Sequence, residues 1–344
     1  MDATAKRLLA WYDAHARVLP WRSPPGTPPP EPYRVWLSEV MLQQTTVAAV
    51  GPYYARFLAR WPTVDALAAA DDAEVMAAWA GLGYYARARN LLACARAVAA
   101  QGGTFPESEA GLRALPGLGA YTAAAVAAIA FDRPAAVVDA NVERVVARLF
   151  AIAEPLPGAK AAIHARVQAM TPRKRPGDFA QAMMDLGATV CTPRAPRCTL
   201  CPLSDACQGR RGGAERFPVK AAKKERPVRQ GRAFWIERND AVWLVRRADK
   251  GMLGAMRALP DDGWSARGDG AGEPPLDGPW RAIGTVRHSF SHFDLEMQLM
   301  LYSGDDLARL EVTTGEWWRI EALDSAGLPT LFAKAARLAL AERN

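Results

Sequence analysis

The stretch LPGLGAYTAAAVAAIAF, Leu115 to Phe131, decides how this chain reads. Pro116 stops the helix that GLRAL ends, and Gly117 and Gly119 permit a tight turn. An alanine-rich helix then begins at once. The first backbone N–H groups of such a helix have no partner within it, and with the helix dipole behind them they suit a phosphate oxygen. Small side chains in the turn let a nucleic-acid backbone come close. A plain helical corner uses the same glycines, so the rest of the chain must decide. It must also explain why a bulky polar residue, Tyr121, stands in the first turn of the second helix.

Working outward, the 344 residues carry a net charge of +7. The positive excess lies in residues 1–226, and the remainder is slightly acidic. A basic first two-thirds suits a polyanion, most simply nucleic acid. Length suggests two domains, and a 50% hydrophobic composition supplies core for both. No apolar run reaches the length of a membrane span. The opening MDATAKRLLAWYDAHA, with Asp2 and Asp13, reads as an amphipathic helix and not a signal peptide. The expectation is an intracellular, cytoplasmic protein, associated with the nucleoid if its partner is DNA, without a membrane partner and acting as a monomer.

Residues 1 to about 210 show helical periodicity, as in Val142, Val145, Val146 and Leu149. Residues 210–231, RRGGAERFPVKAAKKERPVRQG, are basic and punctuated by Gly and Pro, and they read as a linker. Beyond it the pattern changes. AFWIER and AVWLVRR flank a turn at Asn239–Asp240 and predict a β-hairpin. WRAIGTVRH and FDLEMQLMLY predict further strands, and TLFAKAARLALAER a closing helix. The division expected is an all-α domain over 1–216, a linker over 217–231 and an α+β domain over 232–344.

Four of the five cysteines, Cys191, Cys198, Cys201 and Cys207, are spaced Cys-x6-Cys-x2-Cys-x5-Cys. Four soft thiolates this close suit zinc or an iron–sulfur cluster. Cys94 stands alone in a helical pattern and reads as a small buried hydrophobe. Two carboxylates have contrasting surroundings. Glu39 has Val35, Trp36, Leu42 and Gln43 as its helical neighbours, an apolar setting that raises a carboxyl pKa and suits a general acid. Asp139 follows the apolar PAAVV and precedes a helix, so it is a natural N-cap whose ionised form the helix amides favour. One carboxyl biased toward protonation and one toward charge form the pairing that cleaves glycosidic bonds.

The sequence resembles the adenine DNA glycosylases of the MutY type, within the helix-hairpin-helix superfamily that includes endonuclease III. The matching stretches are LPWR (19–22), WLSEVMLQQTTV (36–47), GLGYYARARN (81–90), LPGLGAYTA (115–123), VVDANVERV (137–145), QAMMDLGATVCTPRAPRCTLCPL (181–203) and RHSFSHFDL (287–295). They run in order along nearly the whole chain. The resemblance implies a helix-hairpin-helix over about 108–131, with Gly117 and Gly119 at the DNA backbone, and a [4Fe-4S] cluster on the loop 191–207. It implies a Nudix-like second domain.

It further implies that Glu39 protonates adenine at N7 and that Asp139 stabilises, or transiently bonds, the sugar C1′, with Tyr121 and Asn141 organising the two. Gln44 and Tyr84 are implied as wedges inserted when adenine is flipped out, with Arg87 at the DNA, and Trp21 and Arg22 as walls of the adenine pocket. Phe290, Ser291 and His292 are implied to probe 8-oxoguanine. Endonuclease III relatives carry a lysine where Tyr121 stands. A phenol forms no Schiff base, so the resemblance predicts a monofunctional enzyme acting on duplex DNA with adenine opposite 8-oxoguanine or guanine. The second domain lacks the Glu-rich helix of working Nudix hydrolases: GMLGAMRALPDDGWSARGDGAG contains no Glu. It is expected to read the lesion and not to hydrolyse a nucleotide. Residues 208–231 hold neither Cys nor His, so no linker zinc is expected.

Overall fold

The computed structural model describes residues 3–221, 225–248, 252–254, 256–290, 292–304, 306–307, 310 and 314–343. The chain forms two compact units, 1–222 and 223–344. The first unit is helical: α1 (Ala3–His15), α2 (Pro32–Leu42), α3 (Val47–Arg60), α4 (Val64–Ala68), α5 (Asp72–Trp79), α6 (Ala86–Ala100), α7 (Glu109–Arg113), α8 (Ala120–Phe131), α9 (Ala140–Leu149), α10 (Lys160–Met170), α11 (Pro176–Thr189) and α12 (Gln208–Arg211). Side-chain caps from Thr46, Thr63, Asp71, Ser108 and Asp139 open α3, α4, α5, α7 and α9, each meeting an amide the helix itself leaves unpaired. Pro32 and Pro176 begin α2 and α11, where a missing N–H costs nothing.

The alanine-rich α8 is apolar all round, and Thr122 to Ala130 are all buried. Such a helix must be wrapped by others, and α2, α7 and α11 pack against it. Small side chains let these neighbours approach closely. Cys94 is fully buried in this core, as its apolar setting predicts.

Among the described residues, the second unit holds two sheets and an α-helix. One sheet has the order β1 (Val228–Trp235), β6 (Asp294–Tyr302), β5 (Trp280–Ser289); the other joins β2 (Glu237–Arg238), β3 (Ala241–Arg246) and β4 (Arg257–Ala258), with β7 (Gly315–Arg319) on β3. The closing helix α13 (Thr330–Ala341) lies on the first sheet through Leu331, Phe332, Ala335, Ala336 and Ala339.

Two sequence readings change here. The hairpin predicted from AFWIER and AVWLVRR is confined to Glu237–Arg238 against Ala241–Val242. Asn239 and Asp240 do form its turn, both at positive φ, as a two-residue hairpin loop requires. AFW instead belongs to β1, which runs parallel to β6 from Val228↔Asp294 to Trp235↔Leu301. Phe234, Trp235 and Ile236 are buried in succession. Such a run is covered on both faces, which suits a sheet packed between layers and not a half-exposed hairpin. The linker is also shorter than 217–231. Val228 to Gly231 lie in β1, and Val219 accepts a backbone bond from Leu156 in the helical unit. Polar exposed side chains marked this stretch as linker, but backbone pairing does not depend on them. Among the described residues no helix is long and apolar enough to cross a membrane.

Candidate active site

A cleft of about 750 Å³ opens in the helical unit, between α2, the start of α8 and the start of α9. Its lining includes Trp21, Arg22, Glu39, Gln44, Gly117, Gly119, Tyr121, Asp139 and Asn141. Nine residues singled out in the sequence thus meet in one place, although they come from four separate stretches.

Glu39 lies in the middle of α2, only 6% exposed. Burial pushes its carboxyl up from 4.5 to about 7, against the opposing influence of a hydrogen bond from Tyr121 and the charge of Arg22. Tyr121 Oη donates to Glu39 Oε2 at 2.8 Å. Burial first, and the nearby carboxylates second, hold the phenol well above its ordinary pKa, so it remains a neutral donor. Asp139 caps α9, accepting from Val142 N at 2.7 Å and from Asn141 Nδ2 at 2.9 Å. The cleft therefore holds one carboxyl kept protonated near neutrality and one held as an acceptor at a helix N-terminus.

At the hairpin itself, Gly117 sits at φ 74, and a Cβ there would lie 2.6 Å from Asn90 Cβ. Gly119 differs from expectation. It is extended, and nothing lies within 4 Å of the Cβ it lacks. The turn does not need glycine at that point; what the position leaves is open space above the first amides of α8.

Arg22 and Trp21 stand at the wall of the cleft, both largely buried. Arg22 Nη1 bonds Asp185 Oδ2 at 2.7 Å, and Arg17 Nε bonds Asp185 Oδ1 at 2.5 Å. Asp185 is fully buried in α11 and carries this pair of cations. Sequence reading passed over it, although a lone carboxylate within AMMDLGA is the same signal that marked Glu39. Arg144 was missed as well. It donates to Asn141 Oδ1, Gly187 O and Cys191 O at 2.7–2.8 Å, so the Asp139 cap and the cysteine loop share a scaffold. Gly187 allows this: a Cβ there would lie 2.6 Å from Asn141 Cβ.

Tyr84 and Arg87 lie outside the cleft. Tyr84 is 59% exposed. Arg87 corrects the expectation of a DNA contact. It is buried, and its guanidinium is bonded to the carbonyls of Val40, Met41, Gln43, Leu82 and Gly83 and to Thr45 Oγ1. A guanidinium so placed has no face for a phosphate.

The four loop cysteines are free thiols, each half-buried, and the other three lie near enough to Cys201 to act on it electrostatically. Arg148, 2% exposed, donates to Cys191 Sγ at 3.3 Å and to the carbonyls of Thr192, Pro193 and Phe217. Four thiols backed by a buried cation suit a soft metal centre. Among the described residues no three His, Cys, Asp or Glu side chains are grouped as a single-ion site.

In the second unit, Phe290, His292 and Phe293 lie between β5 and β6. Phe290 stacks on Phe293 with centroids 4.7 Å apart and meets His288 edge-on at 4.6 Å. His292 is exposed, and Ser291 lies outside the described residues. Among the described residues no helix separates β4 from β5.

The match to a family described as HhH-GPD superfamily base excision DNA repair protein covers residues 37–168, and a NUDIX domain matches residues 232–338. Fold and cleft together define a DNA glycosylase of the helix-hairpin-helix superfamily joined to a NUDIX-like domain. The solved structure of a thermostable thymine-DNA glycosylase is similar to the helical unit: TM-score 0.55, 30% identity, covering 61% of this chain and 95% of that one. The adenine DNA glycosylase of Rattus norvegicus is 34% identical over 410 residues, covering 98% of this chain and 78% of that protein. That of Mycobacterium tuberculosis is 43% identical over 230 residues, covering 66% and 72%. The chain belongs to the adenine DNA glycosylase family.

Proposed function

We propose that this enzyme hydrolyses the N-glycosidic bond of adenine paired with 8-oxoguanine or guanine in duplex DNA, as the first step of base excision repair. The observation that carries the reading is the pairing of a buried Glu39, bonded by Tyr121, with the helix-capping Asp139 at one cleft. Adenine is flipped out of the stack into this cleft. Glu39 gives its proton to N7, the C1′–N9 bond breaks, and the electron pair leaves with the neutral base. Positive charge develops on the sugar, and the Asp139 carboxylate stabilises it. Water completes the hydrolysis at C1′ and leaves an abasic site. Asn141 holds Asp139, and Tyr121 holds Glu39. No amine stands at the Tyr121 position, so the strand is left unbroken.

Gln44 and Tyr84 serve as the wedges that replace the extruded base. Trp21 and Arg22 wall the adenine pocket. Gly117, Gly119 and the first amides of α8 meet a backbone phosphate. Cys191, Cys198, Cys201 and Cys207 hold a [4Fe-4S] cluster. Their Cys-x6-Cys-x2-Cys-x5-Cys spacing favours it. When bound, the cluster supplies a rigid cross-link that shapes the loop, and hydrolysis of this bond needs no electron from it. Phe290, Ser291 and His292 read the N7–H and O8 edge of 8-oxoguanine. The protein works as a monomer, in the cytoplasm at the nucleoid.

Single-turnover adenine release from duplexes carrying A:8-oxoguanine, A:G and A:T tests the whole reading. Fast release from the first, slower from the second and none from the third is expected. No release from any, by protein that binds the duplexes normally, overturns it.

A further inference from the structure

Gln44 and Tyr84 sit on separate loops, one after α2 and one before α6, and both are exposed. Both have left-handed backbones, with φ 57° and 50°. That conformation is unfavourable for side chains of this size and persists only where the surroundings impose it. One side chain contacts both surroundings. Arg87 Nη1 bonds Gln43 O, and Arg87 Nη2 bonds Thr45 Oγ1 at 3.2 Å, so the guanidinium brackets Gln44 in sequence. Arg87 Nη2 also bonds Gly83 O, and the Arg87 backbone N–H bonds Tyr84 O at 2.8 Å, so the same residue holds the Tyr84 turn. Nη1 further bonds the carbonyls of Val40 and Met41, which the end of α2 leaves without helical partners. The guanidinium stands 5.5 Å from the Tyr84 ring and 5.3 Å from that of Trp79.

We propose that Arg87 is a positioning residue that locks the Gln44 and Tyr84 turns into one two-pronged wedge, so that both side chains enter the DNA stack as a unit. This rests on the reading of Gln44 and Tyr84 as wedges. Arg87 is remote from the reacting atoms, so its effect falls on base flipping and not on proton transfer. Lysine cannot replace it, because one ammonium has three donors and no planar fork to span both loops.

The test uses the full chain and a duplex with 2-aminopurine opposite 8-oxoguanine, whose fluorescence rises on flipping. Arg87→Met is expected to lower the flipping equilibrium by about 10- to 100-fold, the scale of a displaced positioning group, and Arg87→Lys by less. The pH limb of adenine release is expected to stay where it is, since Glu39 is untouched. Gln44→Ala and Tyr84→Ala are measured singly and together, in the native and Arg87→Lys backgrounds. Coupling between the two in the native background, and its loss in the Arg87→Lys background, is the expected result. Undiminished coupling with Lys at 87 overturns the proposal. No effect of either alanine variant in the native background instead overturns the wedge reading beneath it. If Arg87→Met fails to fold by circular dichroism, Thr45→Val removes one acceptor beside Gln44 and is expected to weaken flipping in the same direction. Unchanged flipping in both Thr45→Val and Arg87→Lys overturns the proposal.

Discussion

Glu39 and Asp139 line the same cleft, yet the chain surrounds them in opposite ways. Glu39 projects from the middle of α2, where every nearby amide is committed to the helix. Its hydrogen-bond donor is a neutral phenol, and burial is the largest influence on its carboxyl, which titrates near 7. Asp139 stands at the start of α9, where free amides are plentiful, and it takes N–H bonds from Val142 and Asn141. Burial in the apolar wall raises the Glu39 carboxyl, whereas the helix start surrounds Asp139 with N–H donors.

Removing each group in turn is the sharpest way to break this contrast. Glu39→Gln takes away the proton source, and single-turnover adenine release is expected to fall by about 10²- to 10⁴-fold with duplex binding retained. Asp139→Asn keeps an N-cap of equal quality but removes the charge. A comparable loss of activity at unchanged melting temperature is expected, measured by release kinetics beside a thermal melt. Full activity in that variant reduces Asp139 to a structural cap.

Arg144 tests whether the Asp139 side depends on its scaffold. Arg144→Met breaks the bonds to Asn141, Gly187 and Cys191. Adenine release is expected to slow about tenfold, within the range for groups that orient a first partner. Iron content measured in the same preparations distinguishes a loosened cysteine loop from a loosened cap. An unchanged rate separates the two regions completely.

The pH profile sharpens the Glu39 side. In the proposed mechanism Glu39 acts in its protonated form, so adenine release should decline as pH rises through about 7. The Tyr121 hydrogen bond lowers that value. In Tyr121→Phe the alkaline limb should therefore move to higher pH, while the rate on the acid side changes less. A limb that moves downward contradicts the donor role of the phenol.

The same contrast marks what was legible in the sequence. Glu39, Asp139 and Tyr121 declared themselves through local context: a carboxyl among apolar helical neighbours, a residue before a helix, a phenol after a glycine turn. Arg87 and Asp185 did not, because their meaning lies in partners far along the chain. Nothing in GLGYYARARN indicates that Arg87 points inward to the end of α2, and LPWR does not reveal that Arg17 and Arg22 converge on Asp185 in α11. The helical unit read well, since its periodicity and caps are local. In the second unit, β1 was assigned to a neighbouring hairpin, although its pairing is with β6 some sixty residues on. Three successive apolar residues, Phe234 to Ile236, were the available sign.

The smallest expected effect concerns stability, and its sign follows from the direction of the Glu39 shift. The folded carboxyl titrates near 7 and a free one near 4.5. Between these values the folded chain keeps a proton that the unfolded chain has released. Glu39 therefore contributes stability that is fully present below about 4.5 and is lost as pH rises through about 7. The gap corresponds to on the order of 3 kcal/mol. Glu39→Gln has no such proton to lose. Its melting temperature should match the native protein near pH 5 and exceed it by several degrees at pH 8, since an ionised carboxylate then remains in an apolar wall. Asp139→Asn, at a helix N-terminus, should show no such gain at pH 8. If both variants melt alike across that range, the two carboxyls are not differently housed, and the division of labour between mid-helix and cap falls with the result.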